Sequence, residues 1–289
     1  MYFKLRLILL FILICAASLL WYSIFQESGE GLKVAVLNVG QGDAFFIETE
    51  GGKQVLIDGG PGRFVLSELG RVMPAYDKSI DLVVATHTDL DHLGGLVEVA
   101  KSYHIGQVLE NGFEAGTNIF QIWEDLLKQK NIPRTAARAG DKIILDKNTR
   151  LDIFGPFEED FTPLPEKANE VMIVAKLTFK NRSFLFMGDI GKGDEIRLAE
   201  SSADLKSDVL KIAHHGSKYA STDLFLNKVT PEYAAISVGG RNIYGHPAPE
   251  VLERLLTLGI PVYRTDRDGR VTFLSDGVTI SALAEGKKQ

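Results

Sequence analysis

The chain has 289 residues but a single cysteine, Cys15, so no intrachain disulfide is possible. Cys15 lies inside an N-terminal apolar run, and everything after it lacks a thiolate for a metal. Exported proteins without disulfides are common, so this leaves the compartment open. A cationic surplus is also missing. The 32 Lys and Arg are outnumbered by 38 Asp and Glu, for a net charge of −6. Lys4, Arg6, Glu27 and Glu30 cancel, so the part beyond residue 30 carries the same −6. Tight non-specific binding of nucleic acid normally needs basic excess, so any such contact here must be local or brief. Bound divalent cations would offset acidic ligands, so charge alone does not exclude a phosphate substrate. Tandem repeats and low-complexity tracts are absent. With 45% apolar and 24% charged residues, the chain has enough for a sizeable core and is not a disordered one.

One long apolar run is present. Leu7 to Phe25 is interrupted only by Ser18 and Ser23, and Lys4 and Arg6 precede it. At about 1.5 Å per residue, such a helix nearly spans a bilayer core. Positive residues on the short side keep that end in the cytoplasm, which places the remainder outside. The expectation is a single-pass anchor with linker over residues 1–30 and an extracytoplasmic domain over 31–289. The rival is a signal peptide, cleaved to release a secreted protein. Cys15-Ala16-Ala17-Ser18 is only a fair cleavage region, and Ile14 before Cys15 matches a lipid-attachment site poorly.

Beyond the linker Gln26 to Leu32, the pattern alternates strands with helices. Lys33–Val39, Ala44–Glu48 and Gln54–Asp58 read as strands joined by tight turns, with Gly51-Gly52 as a hairpin signal. Asp81–Thr86 reads as a strand buried on both faces, followed by a helix over Leu93–Tyr103. Ile119–Lys130 is a second amphipathic helix, and Lys142–Asp146 and Leu151–Phe154 are strands. Pro156 to Pro165 is a loop rich in proline and acid. Strands over Glu170–Phe179, Phe184–Met187, Val209–Ala213 and Glu232–Val238 follow. A helix over Pro249–Leu258 and strands over Val262–Arg264 and Val271–Leu274 close the chain. Two strand-rich halves with outer helices suggest a four-layer sandwich of helix, sheet, sheet and helix, within the α/β class.

Of the six histidines, five sit in motifs at strand ends. Thr86-His87-Thr88-Asp89-Leu90-Asp91-His92 places four potential ligands past a buried strand. Neutral imidazoles with hard carboxylates suit a divalent ion, whereas two aspartates packed between histidines are costly without one unless the loop is well solvated. Gly188-Asp189 ends a second apolar strand. Alone it reads as a helix N-cap, but beside the first motif its two carboxylate oxygens can bridge two ions. In Ala213-His214-His215-Gly216-Ser217, one histidine is a candidate ligand and the other orients it or touches substrate. His246 precedes Pro247, which holds the loop extended, and is a further candidate ligand. His104 is expected to end the first of these helices, where a positive charge suits the helix dipole.

His87-x-Asp89-x-Asp91-His92, Gly188-Asp189 and His214-His215-Gly216-Ser217 together resemble the metallo-β-lactamase superfamily. Within it, the chain is most similar to the hydrolase domain of the ComEC/Rec2 competence proteins. Leu37-Asn38-Val39-Gly40-Gln41-Gly42-Asp43, Leu56-Ile57-Asp58-Gly59-Gly60 and Tyr263-Arg264-Thr265-Asp266 support that match. The resemblance implies an αββα sandwich with two divalent metal ions at one edge, His87 and Asp89 on one, Asp91 and His92 on the other. Asp189 would bridge them, His214 or His215 together with His246 would complete the shells, and Asp58 would steady the metal loop. Asp89 stands where the wider superfamily has histidine, and Asn169 or a neighbour stands near its usual histidine before the bridging aspartate. Both departures enrich the site in oxygen, which keeps manganese beside zinc. Unlike whole competence proteins, the chain has room for only one spanning helix, so it cannot itself form a DNA-conducting channel.

The expected reaction is hydrolysis by a metal-bound hydroxide, with Asp91 accepting or orienting its proton. The second histidine of the His214-His215 pair, Ser217 and Lys218 are candidates for contacting a phosphate oxygen or protonating the leaving group. Extracytoplasmic DNA is the leading substrate, with competence-type uptake proteins as partners. Small esters, lactones or envelope phosphodiesters form the alternative. A scaffold that kept the fold without catalysis is a different class, and stoichiometric metal would separate it from both.

Overall fold

The computed structural model describes residues 2–27, 31–161 and 171–286. Helix α1 covers Tyr2–Glu27. The first half then runs β1 (Leu32–Val36), β2 (Phe45–Glu48), β3 (Gln54–Ile57), α2 (Phe64–Val72), β4 (Ser79–Ala85), α3 (Leu90–Ser102), β5 (His104–Glu110), α4 (Asn118–Lys130) and β6 (Arg134–Ala136). The second half runs β7 (Lys142–Ile144), β8 (Thr149–Gly155), β9 (Val174–Phe179), β10 (Arg182–Phe186), α5 (Lys192–Glu200), β11 (Val209–Lys211), α6 (Asp223–Val229), β12 (Tyr233–Ile236), α7 (Pro249–Thr257) and β13 (Val262–Arg264). A short α8 (Thr265–Asp268), β14 (Val271–Ser275) and β15 (Ile280–Ala284) follow.

These strands form two sheets. One has the order β15-β14-β1-β2-β3-β4-β5-β6, the other β13-β12-β11-β10-β9-β8-β7. Because β14 pairs with β1, the end of the chain completes the first half's sheet. The strands are apolar on both sides because each side meets a different layer. In β2, Phe45 and Ile47 point into the core between the sheets, while Phe46 points to the opposite core. That opposite core packs Ala35, Leu56 and Val83 against Leu69, Leu96 and Trp123 of α2, α3 and α4. A third core packs Leu185, Leu210 and Ile236 against Leu198, Phe225, Val251 and Leu255 of the other helices. Three cores separate four layers, helix on sheet on sheet on helix.

In both sheets the central strands are parallel, β3 with β4 and β5 in one, β10 through β13 in the other. Ligand sites in such sheets lie beyond the carboxyl ends of the parallel strands. Here those ends deliver Asp58, the 86–92 segment, Gly188-Asp189 and the 213–217 segment.

Some elements differ from the sequence expectation. Helices α2, α5 and α6 and strands β5, β6 and β15 are not resolved by periodicity, being short or carrying glycine and charge among their apolar residues. His104 does not end a helix. Helix α3 stops at Ser102, and His104 opens β5, paired with Ser79, its N–H donating to Lys78 O at 2.7 Å. The helix dipole role therefore falls to Lys101 in the last turn. In the 156–165 loop, Glu158–Phe161 form a 3-10 turn, while residues 162–165 and Asn169 lie outside the described residues. Helix α1 coincides with the expected anchor, and Leu7 through Ile14 are each more than half exposed. Among the described residues, however, no helix is long and apolar enough to cross a membrane.

Phe273 ties the halves together. It is fully buried between the sheets, edge-on to Phe184 at 6.1 Å and to Tyr263 at 5.8 Å. Replacing Phe273 with alanine is expected to cost about 3–5 kcal/mol, read as a lower urea midpoint at unchanged slope.

Candidate metal centre

The first contributor is the turn after β4. Thr86 is buried, and both its N–H and its hydroxyl donate to Asp58, at 2.8 and 2.6 Å. Asp89 immediately precedes α3, without a side-chain hydrogen bond to the helix, which places Asp91 and His92 in the first helical turn. Such close approach needs glycine. A Cβ on Gly95 of α3 would lie 1.8 Å from Gly59 O, and one on Gly42 would lie 2.0 Å from Asp91 O. From the second sheet come Asp189 after β10 and His215 after β11. His214 and His215 both adopt left-handed backbone, φ 49° and 53°. Each such residue costs about 1–2 kcal/mol, so the surrounding structure imposes the conformation.

One ligand-capable atom from each of Asp91, His92, Asp189 and His215 falls within 4.8 Å of the others. His92 Nε2 is 3.2 Å from Asp189 Oδ2, and His215 Nε2 is 3.3 Å from the same oxygen and 3.5 Å from Asp91 Oδ2. His87 adjoins this group, its ring centred 4.0 Å from that of His92 and its Nε2 3.6 Å from Asp89 Oδ2. Asp58, His87 and His92 form a second such group, each with a ligand-capable atom within 4.8 Å of the others. The oxygens of Asp58, though, already receive Thr86 and the Nδ1 of His92 at 2.8 Å, so it orients rather than ligates.

Hydrogen bonding assigns the tautomers of all three imidazoles. His215 Nδ1 faces Ser237 O at 2.8 Å, and a carbonyl only accepts, so Nδ1 carries the proton. His92 Nδ1 faces the Asp58 carboxylate in the same sense. His87 Nδ1 lies 3.1 Å from Thr86 Oγ1, whose only hydrogen is already given to Asp58, so this Nδ1 also donates. In the neutral form of each ring the lone pair is left on Nε2. All three Nε2 atoms are buried and make no hydrogen bond. Leaving such atoms unpartnered is costly, and divalent cations would satisfy all of them. The residues present therefore fit a metal.

The electrostatics treat the three rings differently. Burial holds His87 neutral, with help from His92, and lowers its pKa to about 3. Burial also opposes charge on His92, but Asp189 and Asp58 outweigh it and raise the value well above the ordinary one. For His215 the same contest is won by Asp189 and Asp43. Asp189 keeps its charge despite burial because His92, His215 and Lys211 surround it. Burial, then Asp91, raises Asp89.

The remaining expected residues are less central. His214 is half-buried, its ring edge-on to that of His215 at 6.3 Å and to that of His246 at 5.8 Å; neither His214 nor His246 is among the four converging side chains. Ser217 is buried with its hydroxyl directed at the backbone N–H of Tyr219, and Lys218 is exposed over the Tyr219 ring. Both side chains thus turn to Tyr219 rather than to the cluster. Two residues given no role from sequence reach it: Asp43, 1% exposed, and Lys211, 2% exposed. The available signal was a lysine inside the apolar stretch Val209-Leu210-Lys211-Ile212-Ala213.

An ion entering this site must displace the protons that the acidic surroundings favour on His92 and His215. A raised pKa means the proton is bound below that value and lost above it. Metal affinity is thus expected to rise between about pH 6 and 8 with measurable proton release, as seen by calorimetry in buffers of different ionisation enthalpy. Affinity independent of pH would contradict the ligand assignment.

Comparison with known proteins gives the same placement. The chain is 27% identical over 264 residues to ComE operon protein 3 of Bacillus subtilis, covering 85% of this chain and 33% of that protein. It is 28% identical over 245 residues to competence protein ComA of Neisseria gonorrhoeae, covering 83% and 32%. The chain thus spans about a third of the length of these relatives. Among solved structures it is similar to CmlA, a diiron β-hydroxylase from Streptomyces venezuelae, with TM-score 0.57 and 16% identity over 86% of this chain and 55% of that one. It also resembles Igni18, a metallo hydrolase from Ignicoccus hospitalis, with TM-score 0.54 and 19% identity over 83% and 98%. Residues 37–241 match the family profile itself, and the chain belongs to the metallo-β-lactamase superfamily, with competence proteins among its relatives.

Proposed function

We propose that this metal-dependent hydrolase is a phosphodiesterase that degrades DNA on the outer side of the cytoplasmic membrane. The observation that carries the hydrolase reading is the convergence of His92 and His215 Nε2, Asp91 and Asp189 within 4.8 Å, with buried lone pairs that nothing else satisfies. The DNA reading rests on the competence relatives and on the oxygen-rich donor set, which suits manganese or zinc and the phosphoryl group.

Two divalent ions would be held by His87 and Asp89, and by Asp91, His92 and His215, with Asp189 between them. Bound there, they supply Lewis acidity toward a phosphoryl oxygen and acidify water. The chain's own residues do the rest. Asp91, 34% exposed, stands at the mouth where its carboxylate can take a proton. His214 is held neutral by burial and offers an uncharged ring at the rim, beside His246. Asp58 and Ser237 keep the imidazole Nδ1 protons in place through the reaction.

The acidic balance of the chain, −6, favours one further reading, hydrolysis of a small ester, lactone or envelope phosphodiester. Labelled single- and double-stranded DNA incubated with the purified protein and manganese or zinc separates the two. Cleavage is expected, falling by at least about 100-fold in Asp189→Ala. A protein that binds two ions but leaves both DNA forms intact would move the substrate to the small esters.

The anchor reading rests on the apolar run Leu7 to Phe25 and on the exposed side chains of Leu7–Ile14, which nothing in the fold covers. Expressed in a bacterium, the protein is expected to stay in carbonate-washed membranes and to be cut by protease added to spheroplasts. Recovery in the medium as a shortened chain would favour the cleaved form.

A further inference from the structure

Lys211 is the most buried lysine among the described residues. It stands at the end of β11, flanked by Val209, Leu210, Ile212 and Ala213, all buried. An ammonium has three N–H donors, and Lys211 Nζ has three acceptors. These are Asp43 Oδ2, in close contact, Gly188 O at 2.7 Å and Asp189 Oδ1 at 3.5 Å. Asp43 is held just as firmly. Its N–H donates to Asp91 O at 3.2 Å, its carbonyl accepts from Gly60 N–H at 2.8 Å, and Ser237 Oγ donates to the preceding Gly42 O at 2.6 Å. Asp43 Oδ1 lies 3.4 Å from His215 Nδ1 and makes no hydrogen bond.

One ammonium and one carboxylate thus reach two of the metal-facing side chains from behind. Asp189 turns Oδ1 to Lys211, which leaves Oδ2 toward His92 and His215. His215 turns Nδ1 to Ser237 O and Asp43, which leaves Nε2 toward the same point. An ion pair that merely filled space would have no reason to end on the backs of both groups.

We propose that Asp43 and Lys211 are a positioning pair for the metal centre. Lys211 holds Asp189 Oδ1 so that Oδ2 faces the His92 and His215 Nε2 atoms, and Asp43 backs His215 so that its Nε2 faces the same point. This rests on the metal-centre reading above, and it extends the site to two residues that touch neither ion nor substrate.

The test is cobalt titration of the full-length, metal-stripped protein, followed by visible absorption and by metal content, with the melting temperature of the metal-free form measured alongside. The variants are Asp43→Asn, Lys211→Met and the double variant. Lys211→Met alone strands the Asp43 charge and is expected to melt lowest, whereas the double variant removes both charges and is expected to recover much of that loss. Despite recovered folding, the double variant is expected to bind cobalt about 10–100-fold more weakly than the parent, with an altered absorption band. A folded double variant with the parent's affinity and spectrum would reduce the pair to packing and overturn the proposal. If changes at position 211 prevent folding, Asp43→Asn decides, since it keeps the side-chain shape; parental cobalt affinity and spectrum there overturn the proposal equally. A parent chain that binds no cobalt overturns the metal-centre reading itself, before any variant is compared.

Discussion

Three buried imidazole lone pairs aimed at one carboxylate-lined point are the constraint around which this molecule is organised. A lone pair at that depth without a partner is unfavourable, so the fold must either bind a cation there or hold protons it would otherwise lose. Each ring is fixed by its far nitrogen: His87 on Thr86, His92 on Asp58, His215 on Ser237. Those anchors sit just past the ends of different strands, and the strands can present them together only because the two sheets share the central core. Asp58 does double duty, since it also ties Thr86 and so sets where His87 begins.

Charge balance is the second thread. Asp43, Asp91 and Asp189 gather within reach of the same imidazoles, and Asp43 and Asp189 are buried. Buried carboxylates survive only with counter-charge. In the absence of metal that charge comes from protons on His92 and His215 and from Lys211. Ions held there would replace the first two and leave the third, so that binding would exchange one kind of positive charge for another and link metal affinity to pH.

Neither half of the chain could build the site alone. Asp58, His87, Asp91 and His92 come from the first half, Asp189, His215 and Ser237 from the second. The glycine contacts at Gly42 and Gly95 show how little slack remains: an added methyl would collide with backbone. Backbone strain at His214 and His215 has the same origin, because the chain must turn sharply between β11 and the 217–222 segment to bring one ring inward.

What the amino-acid order determined by itself was local: apolar runs long enough for doubly covered strands, and clusters of His and Asp at their ends. Chemistry of that kind is legible because the donor atoms lie within a few residues of each other, as in 86–92. Short helices such as α5 and α6 were not legible, since their apolar faces are only a turn or two long and take their sense from the sheet beneath. Nor could adjacency tell His214 from His215. Both have the same chemistry, and only the left-handed turn and Ser237, brought from a different strand, decide that the second faces inward. Asp43 and Lys211 lie far apart in the chain, and although Lys211 stands out in an apolar stretch, nothing local pairs it with Asp43. Tertiary structure made them a buried pair behind the centre, because burying opposite charges together is the only way either can enter a core that otherwise excludes them.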